Sequence, residues 1–91
     1  MEISELSKYR TEIDALDEEI LRLLNLRAGN VLAIGRIKKQ SGRAVLDSER
    51  EAGVLKRLES LNEGPLDAED ISRIWRVFFA VSRDLEHKVN K

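Results

Sequence analysis

Arg27 and Lys38 stand in helix columns that apolar residues otherwise fill. Eleven residues separate them, about three helical turns, so both point from one face roughly 16 Å apart along the axis. Leu6, Ile13, Ile20 and Ile34 share the column of Arg27, and Leu24 and Val31 share that of Lys38. The periodicity predicts a buried face. A cation in a core column is costly unless something anionic meets it, so the pair predicts an enclosed site for a small anion. Each residue also has an ordinary reading. Arg27 suits a structural ion pair with a carboxylate such as Glu51, and Lys38 suits a helix end, where it favours the macrodipole and its head reaches water. Two cations on one face speak more strongly for a ligand than either alone.

Arg10 adds a geometric constraint. It lies seventeen residues before Arg27, hence about 25 Å away on the same helix and rotated by roughly 100°. Within one chain the two cannot grip one small molecule; across an antiparallel pair of long helices, Arg10 of one chain reaches Arg27 of the other. The ordinary alternative for Arg10 is an exposed pairing with Asp14. Asp47, Arg50 and Glu51 cluster at the start of a second helix. Ser48-x-x-Glu51 fits a capping box, while Glu51, one turn before Leu55, also faces inward to accept a hydroxyl. Phe78, Ser82 and Glu86 align at i, i+4 and i+8. Ser82 can back-bond to its own helix, whereas a carboxylate continuing a phenylalanine stripe has fewer innocent explanations, solvation at a frayed terminus being one. His87 and Tyr9 read as surface residues, and Trp75, Phe78 and Phe79 as core.

Three helices carry these residues, and the expected fold is all-α. The first spans about 4–40, with apolar residues at 6, 13, 16, 20, 23, 24, 31, 34 and 37, a helical period. Its length of roughly 54 Å exceeds what a three-helix globule needs, so the excess is expected to pack against a second copy. Gly29 and Gly35 each cost on the order of 1 kcal/mol inside a helix, and a close helix–helix contact is the expected reason. Gly42 ends the segment. Asp47 or Ser48 caps a second helix, about 48–61, with Val54, Leu55, Leu58 and Leu61 inward. Gly64-Pro65 breaks the chain, and Asp67 caps a third helix, about 67–89. The whole, 1–91, reads as a single domain.

Net charge of −1 provides no bulk field for nucleic acid or an anionic membrane, so any cationic site must be local. No apolar run approaches a bilayer span, and the N-terminus lacks a signal pattern. With no cysteine and one histidine, neither a disulfide, a thiolate site nor a histidine-based metal site is expected. A cytoplasmic protein without metal or cofactor is the default. A chain this short buries only about 60–65% of its surface, so oligomerisation would help its stability.

Arg10 in Tyr-Arg-Thr-Glu-Ile-Asp, Arg27 in Leu-Leu-Asn-Leu-Arg, Lys38 in Ile-Lys-Lys, the Asp47-Ser-Glu-Arg-Glu51 segment and Ser82 together resemble the all-helical class of chorismate mutase. The resemblance covers almost the whole chain. It implies an intertwined helical homodimer of three-helix chains with two active sites, each completed by an arginine of the other chain, converting chorismate to prephenate by an intramolecular Claisen rearrangement in phenylalanine and tyrosine biosynthesis. By similarity Arg27 and the partner's Arg10 bind the substrate carboxylates, Lys38 binds a carboxylate and the ether oxygen, and Glu51 accepts the ring hydroxyl. Asp47, Arg50 and Ser82 line or support the pocket. A pericyclic step needs no nucleophile, metal or proton carrier, which agrees with the residues present. With no regulatory domain visible, amino-acid feedback is not expected. The segment suits a stand-alone enzyme or one part of a fusion with a dehydratase, dehydrogenase or synthase. Two other readings compete. A lyase removing pyruvate from isochorismate shares the scaffold, though Glu51 suits the mutase better. A non-catalytic helical dimerisation module explains the stripe but leaves Arg27 and Lys38 without a purpose.

The sequence departs from the bacterial pattern at Glu86, where the family resemblance suggests glutamine. Glutamine donates an N–H to the ether oxygen at any ordinary pH; a carboxyl group donates only when protonated. With Arg27 and Lys38, Glu86 completes the expected catalytic set. Activity is therefore expected to rise toward mildly acidic pH, and Glu86→Gln to flatten the profile and favour neutral pH. A pH–rate profile unchanged by that substitution removes Glu86 from the mechanism.

Overall fold

Three α-helices make up the computed structural model, which describes residues 2–90: α1 (Glu2–Ser41), α2 (Ser48–Leu61) and α3 (Ala68–Val89), with no strand among the described residues. Met1 and Lys91, the ends of the expected 1–91 domain, lie outside them. The first helix extends slightly beyond the expected 4–40 at both ends, and Asp67 precedes α3 as its cap. The chain divides into two compact units, Met1–Asn30 and Val31–Lys91.

The first unit is a single stretch of α1. Several of its polar side chains bond along the helix: Thr11 Oγ1 donates to the Ser7 carbonyl at 2.9 Å, Asn25 Nδ2 to that of Leu21 at 3.2 Å, and Arg22 pairs with Glu19. The apolar stripe is another matter. Leu6, Ile13 and Ile20, expected to be buried, remain 48%, 54% and 48% exposed. The expected burial of this face is not found within the single chain. The period is helical, but one helix offers its stripe nothing to pack on. Gly29, expected at a close helix contact, has no atom within 4 Å of a Cβ built there.

The second unit holds the core. Val31 from α1, Val54 from α2 and Ile71 and Phe79 from α3 are its buried apolar residues. Ile34, in the Arg27 column, is exposed here too, and Leu61 lies outside the core. Trp75 and Phe78 are half-buried rather than central, their rings meeting edge to face with centroids 5.1 Å apart. Gly35 performs the role its type suggests. A Cβ there would stand 2.6 Å from Val89 Cγ2 and 3.0 Å from the Glu86 Cα, so a hydrogen in place of a side chain lets α1 and α3 approach. Asn90 Nδ2 fastens that approach by donating to the Gly35 carbonyl at 3.1 Å.

Local chemistry sets each helix end. Gly42, with φ of +69°, follows α1; its N–H donates to the Lys39 carbonyl and that of Arg43 to the Lys38 carbonyl. This pair of hydrogen bonds is a Schellman turn, which satisfies terminal carbonyls and reverses the chain. After α2, Asn62 Nδ2 donates to the Leu66 carbonyl at 2.7 Å, and its Oδ1 accepts from the Gly64 N–H; Gly64–Pro65 is cis. Asp67 then opens α3 with a reciprocal box: Asp67 Oδ1 accepts from the Asp70 N–H at 2.8 Å, and Asp70 Oδ2 from the Asp67 N–H at 3.1 Å.

Asp67→Ala is expected to cost about 1 kcal/mol of stability at neutral pH, read from the urea midpoint. The Asp67 N–H, and after it the Arg73 guanidinium, hold the Asp70 carboxyl below the usual carboxylate range. Its contribution is therefore present above the unfolded-state value and lost as pH falls through the lowered folded value. Asp70→Asn should flatten the acid side of the stability profile.

Candidate active site

The Schellman turn at Gly42 brings the chain back over the last turn of α1, where the Val45 carbonyl accepts a hydrogen bond from Lys38 Nζ at 2.8 Å. The same ammonium lies 2.8 Å from Glu86 Oε1 on α3. Neither side chain reaches freely into water: Lys38 is 14% exposed and Glu86 9%. Lys38 is thus turned inward, not extended from the helix end, and Glu86 is buried, not solvated. Although ammonium and carboxylate are in ion-pair contact, Oε1 has no aligned hydrogen-bond donor and remains a buried acceptor. Leaving such a group unsatisfied is costly, and the arrangement is open to improvement by a ligand that rearranges it.

Glu51 and Asp47 fall out differently from the expected capping box. Asp47, not Ser48, is the N-cap of α2, and its Oδ1 accepts from the Arg50 N–H at 3.0 Å. With Asp47 as cap, the third helical residue is Arg50, which has no acceptor to complete a reciprocal box. Glu51 is released from capping, and its Oε2 accepts from Arg83 Nη1 at 2.5 Å. Arg83 is thus seen to pair with Glu51. Ser82 is buried on α3 in line with Phe79 and Glu86, and the Arg50 side chain is exposed at the start of α2.

Lys38, Glu86, Glu51, Asp47, Arg50 and Ser82 all belong to the second unit. Arg27 and Arg10 belong to the first, Arg27 half-buried and Arg10 exposed. The sequence reading misses two contributors. Arg83, flanked by Ser82 and Asp84, resembles an ordinary surface charge, and its partner lies 32 residues away, beyond any local pattern. The Val45 carbonyl has no side-chain signature. Among the described residues no group of three or more His, Cys, Asp or Glu is placed to hold a metal ion, and no helix is long and apolar enough to cross a membrane.

Such a site offers a buried ammonium, a carboxyl group beside it, and a second carboxylate with its own cation. It can bind and polarise an anionic, hydroxylated molecule without attacking it. All-helical architecture and this charge set define the class, and comparison supplies the family. The model of chorismate mutase type II matches residues 9–87; the chain belongs to that family. A bifunctional chorismate mutase/prephenate dehydratase of Neisseria gonorrhoeae is 48% identical over 68 residues, covering 75% of this chain and 18% of that protein. Its counterpart in Aquifex aeolicus is 36% identical over 91 residues, covering 96% and 25%. The chain thus spans a quarter or less of the length of these relatives. Among solved structures, chorismate mutase (form II) from Thermus thermophilus superposes with a TM-score of 0.91 at 34% identity, covering 96% of this chain and 99% of that one. Chorismate mutase from Helicobacter pylori in complex with prephenate gives 0.88 at 32% identity, covering 94% and 93%.

Lys38→Met leaves the Glu86 charge buried without its counter-ion and is expected to destabilise the protein by about 3–5 kcal/mol. Adding Glu86→Gln should recover most of that loss, because both charges are then gone. Thermal unfolding of the two variants checks the coupling; equal losses in single and double variants would contradict it.

Proposed function

We propose that the chain catalyses the rearrangement of chorismate to prephenate. The observation that carries this reading is the inward Lys38 beside the buried, unaligned Glu86 carboxyl, in a chain of the chorismate mutase type II family. The relative from Helicobacter pylori, solved with prephenate, supports the same substrate class.

In the rearrangement the ether C–O bond breaks as a new C–C bond forms, and no external nucleophile takes part. Rate comes from two sources. Holding the flexible dianion in a compact reactive shape removes rotational freedom before the barrier, and positive charge or a donor at the ether oxygen stabilises the negative charge that develops there. Lys38 supplies the charge, and Glu86 supplies a donor only when its carboxyl is protonated. Arg27 and Arg10 bind the two carboxylates, and Glu51 accepts the ring hydroxyl. Ser82 and Arg50 border the pocket, and Asp47 supports it by fixing the start of α2.

Arg10 fits this set only from a second chain, so the proposal includes a homodimer of intertwined helices with two sites. The exposed stripe of Leu6, Ile13, Leu16 and Ile20 supports that assembly, since a continuous apolar face of this length is uncommon on a monomer. The small core points the same way: among the described residues no large side chain is fully buried.

Purified protein is expected to consume chorismate, followed by loss of its ultraviolet absorbance, with prephenate as product. Arg27→Ala should lower kcat/KM about 10²–10³-fold with the fold intact. Salicylate and pyruvate formed from isochorismate, with chorismate left untouched, would replace the mutase by a lyase on the same scaffold. An inert, dimeric protein would leave only a dimerisation module.

A further inference from the structure

Arg83 has no part in the reaction as described so far, yet it is bonded to the Glu51 side chain. Its Nη1 lies 2.5 Å from Glu51 Oε2, joining the C-terminal half of α3 to the first turn of α2. The two side chains are 32% and 24% exposed, so the pair is sheltered from solvent without being sealed. Arg83 sits between Ser82 and Glu86 on α3, both of them buried. The bond engages Oε2 of the carboxylate.

A glutamate left to itself at this point has several rotatable bonds and no fixed direction. Two features of the surroundings act against that. The N-terminus of α2 favours a negative charge in its first turn, and a charge-assisted bond from a guanidinium is both stronger and more directional than one from a neutral donor. Together they hold the carboxylate in one place. A hydroxyl acceptor needs that fixed direction, and it needs one oxygen left over.

We propose that Arg83 is a positioning residue for substrate binding: it holds Glu51 by Oε2 so that Oε1 accepts the ring hydroxyl of the substrate. This rests on the chorismate mutase reading, in which Glu51 is that acceptor. Because the hydroxyl takes no part in bond making or breaking, the contact exists equally in ground and transition states. Its loss therefore appears in KM more than in kcat. A mere clamp between α2 and α3 has a different signature: it changes the melting temperature and acts on turnover whether or not Glu51 carries a charge.

The test is a double-mutant cycle on the full chain, with chorismate as substrate and prephenate measured as product. Arg83→Met should raise KM about 10-fold and change kcat by less than about 3-fold. Glu51→Gln should raise KM at least as much, and Arg83→Met added to Glu51→Gln should have no further effect, because nothing is left to position. Arg83→Gln, which keeps a donor but loses the charge, carries the same expectation and substitutes for the methionine variant if that one fails to fold. An unchanged KM in the Arg83 variant overturns the inference. So does an effect that persists in full in the Glu51→Gln background, which assigns Arg83 to structure or to direct substrate contact. If Glu51→Gln itself leaves KM untouched, the inference falls with the role of Glu51. Wild-type protein that leaves chorismate intact defeats the activity and the inference together, whereas wild-type turnover with an indifferent Arg83 defeats the inference alone.

Discussion

A lysine and a glutamate, both largely withdrawn from water, tie the end of α1 to the end of α3. Everything near the site is arranged around keeping that pair in place. Gly35 removes the side chain that would hold the helices apart, Asn90 fastens the α3 terminus to the Gly35 carbonyl, and the turn at Gly42 returns a backbone carbonyl to the ammonium. Burying two charges is a poor way to stabilise a small protein, because desolvation offsets most of their attraction. An apolar pair of similar volume would serve the fold as well. The expense makes sense if the charges are kept for a ligand, which is how the proposed mechanism uses them.

The second carboxylate repeats the logic in a milder setting. Glu51 and Arg83 are half-buried and held by a bond between α2 and α3. One pair therefore secures α1 to α3 and the other α2 to α3, so α3 serves as the common support for both. Its own start is fixed by the reciprocal aspartate box at Asp67 and Asp70. The apolar core is correspondingly modest, with Val31, Val54, Ile71 and Phe79 buried. Polar contacts at defined positions do much of the work of registering the three helices in the second unit.

What the sequence discloses and what it withholds follow from the range of each interaction. Lys38 is legible because a basic residue breaks a column, and Glu86 because it extends the Phe78–Ser82 spacing; both signals lie within a single helix. Gly35 and Gly29 look alike as sequence, and only the neighbour across the gap tells them apart. The sequence leaves the cap of α2 open because Asp47 and Ser48 are both good caps. The choice between them depends on backbone geometry, and choosing Asp47 frees Glu51 for a partner 32 residues on. The stripe of α1 shows its period plainly, yet period says which side chains want cover and not what provides it.

The loop between α1 and α2 carries one further consequence. Surface connections ordinarily tolerate insertions and deletions because no other part of the molecule depends on their length. Here the stretch from Gly42 to Leu46 aims the Val45 carbonyl at the Lys38 ammonium. One residue more or less would swing that carbonyl aside and set the lysine loose. Solvent-facing as most of it is, this segment is as constrained in length as a strand in a sheet, and natural variation in it should be confined to side chains.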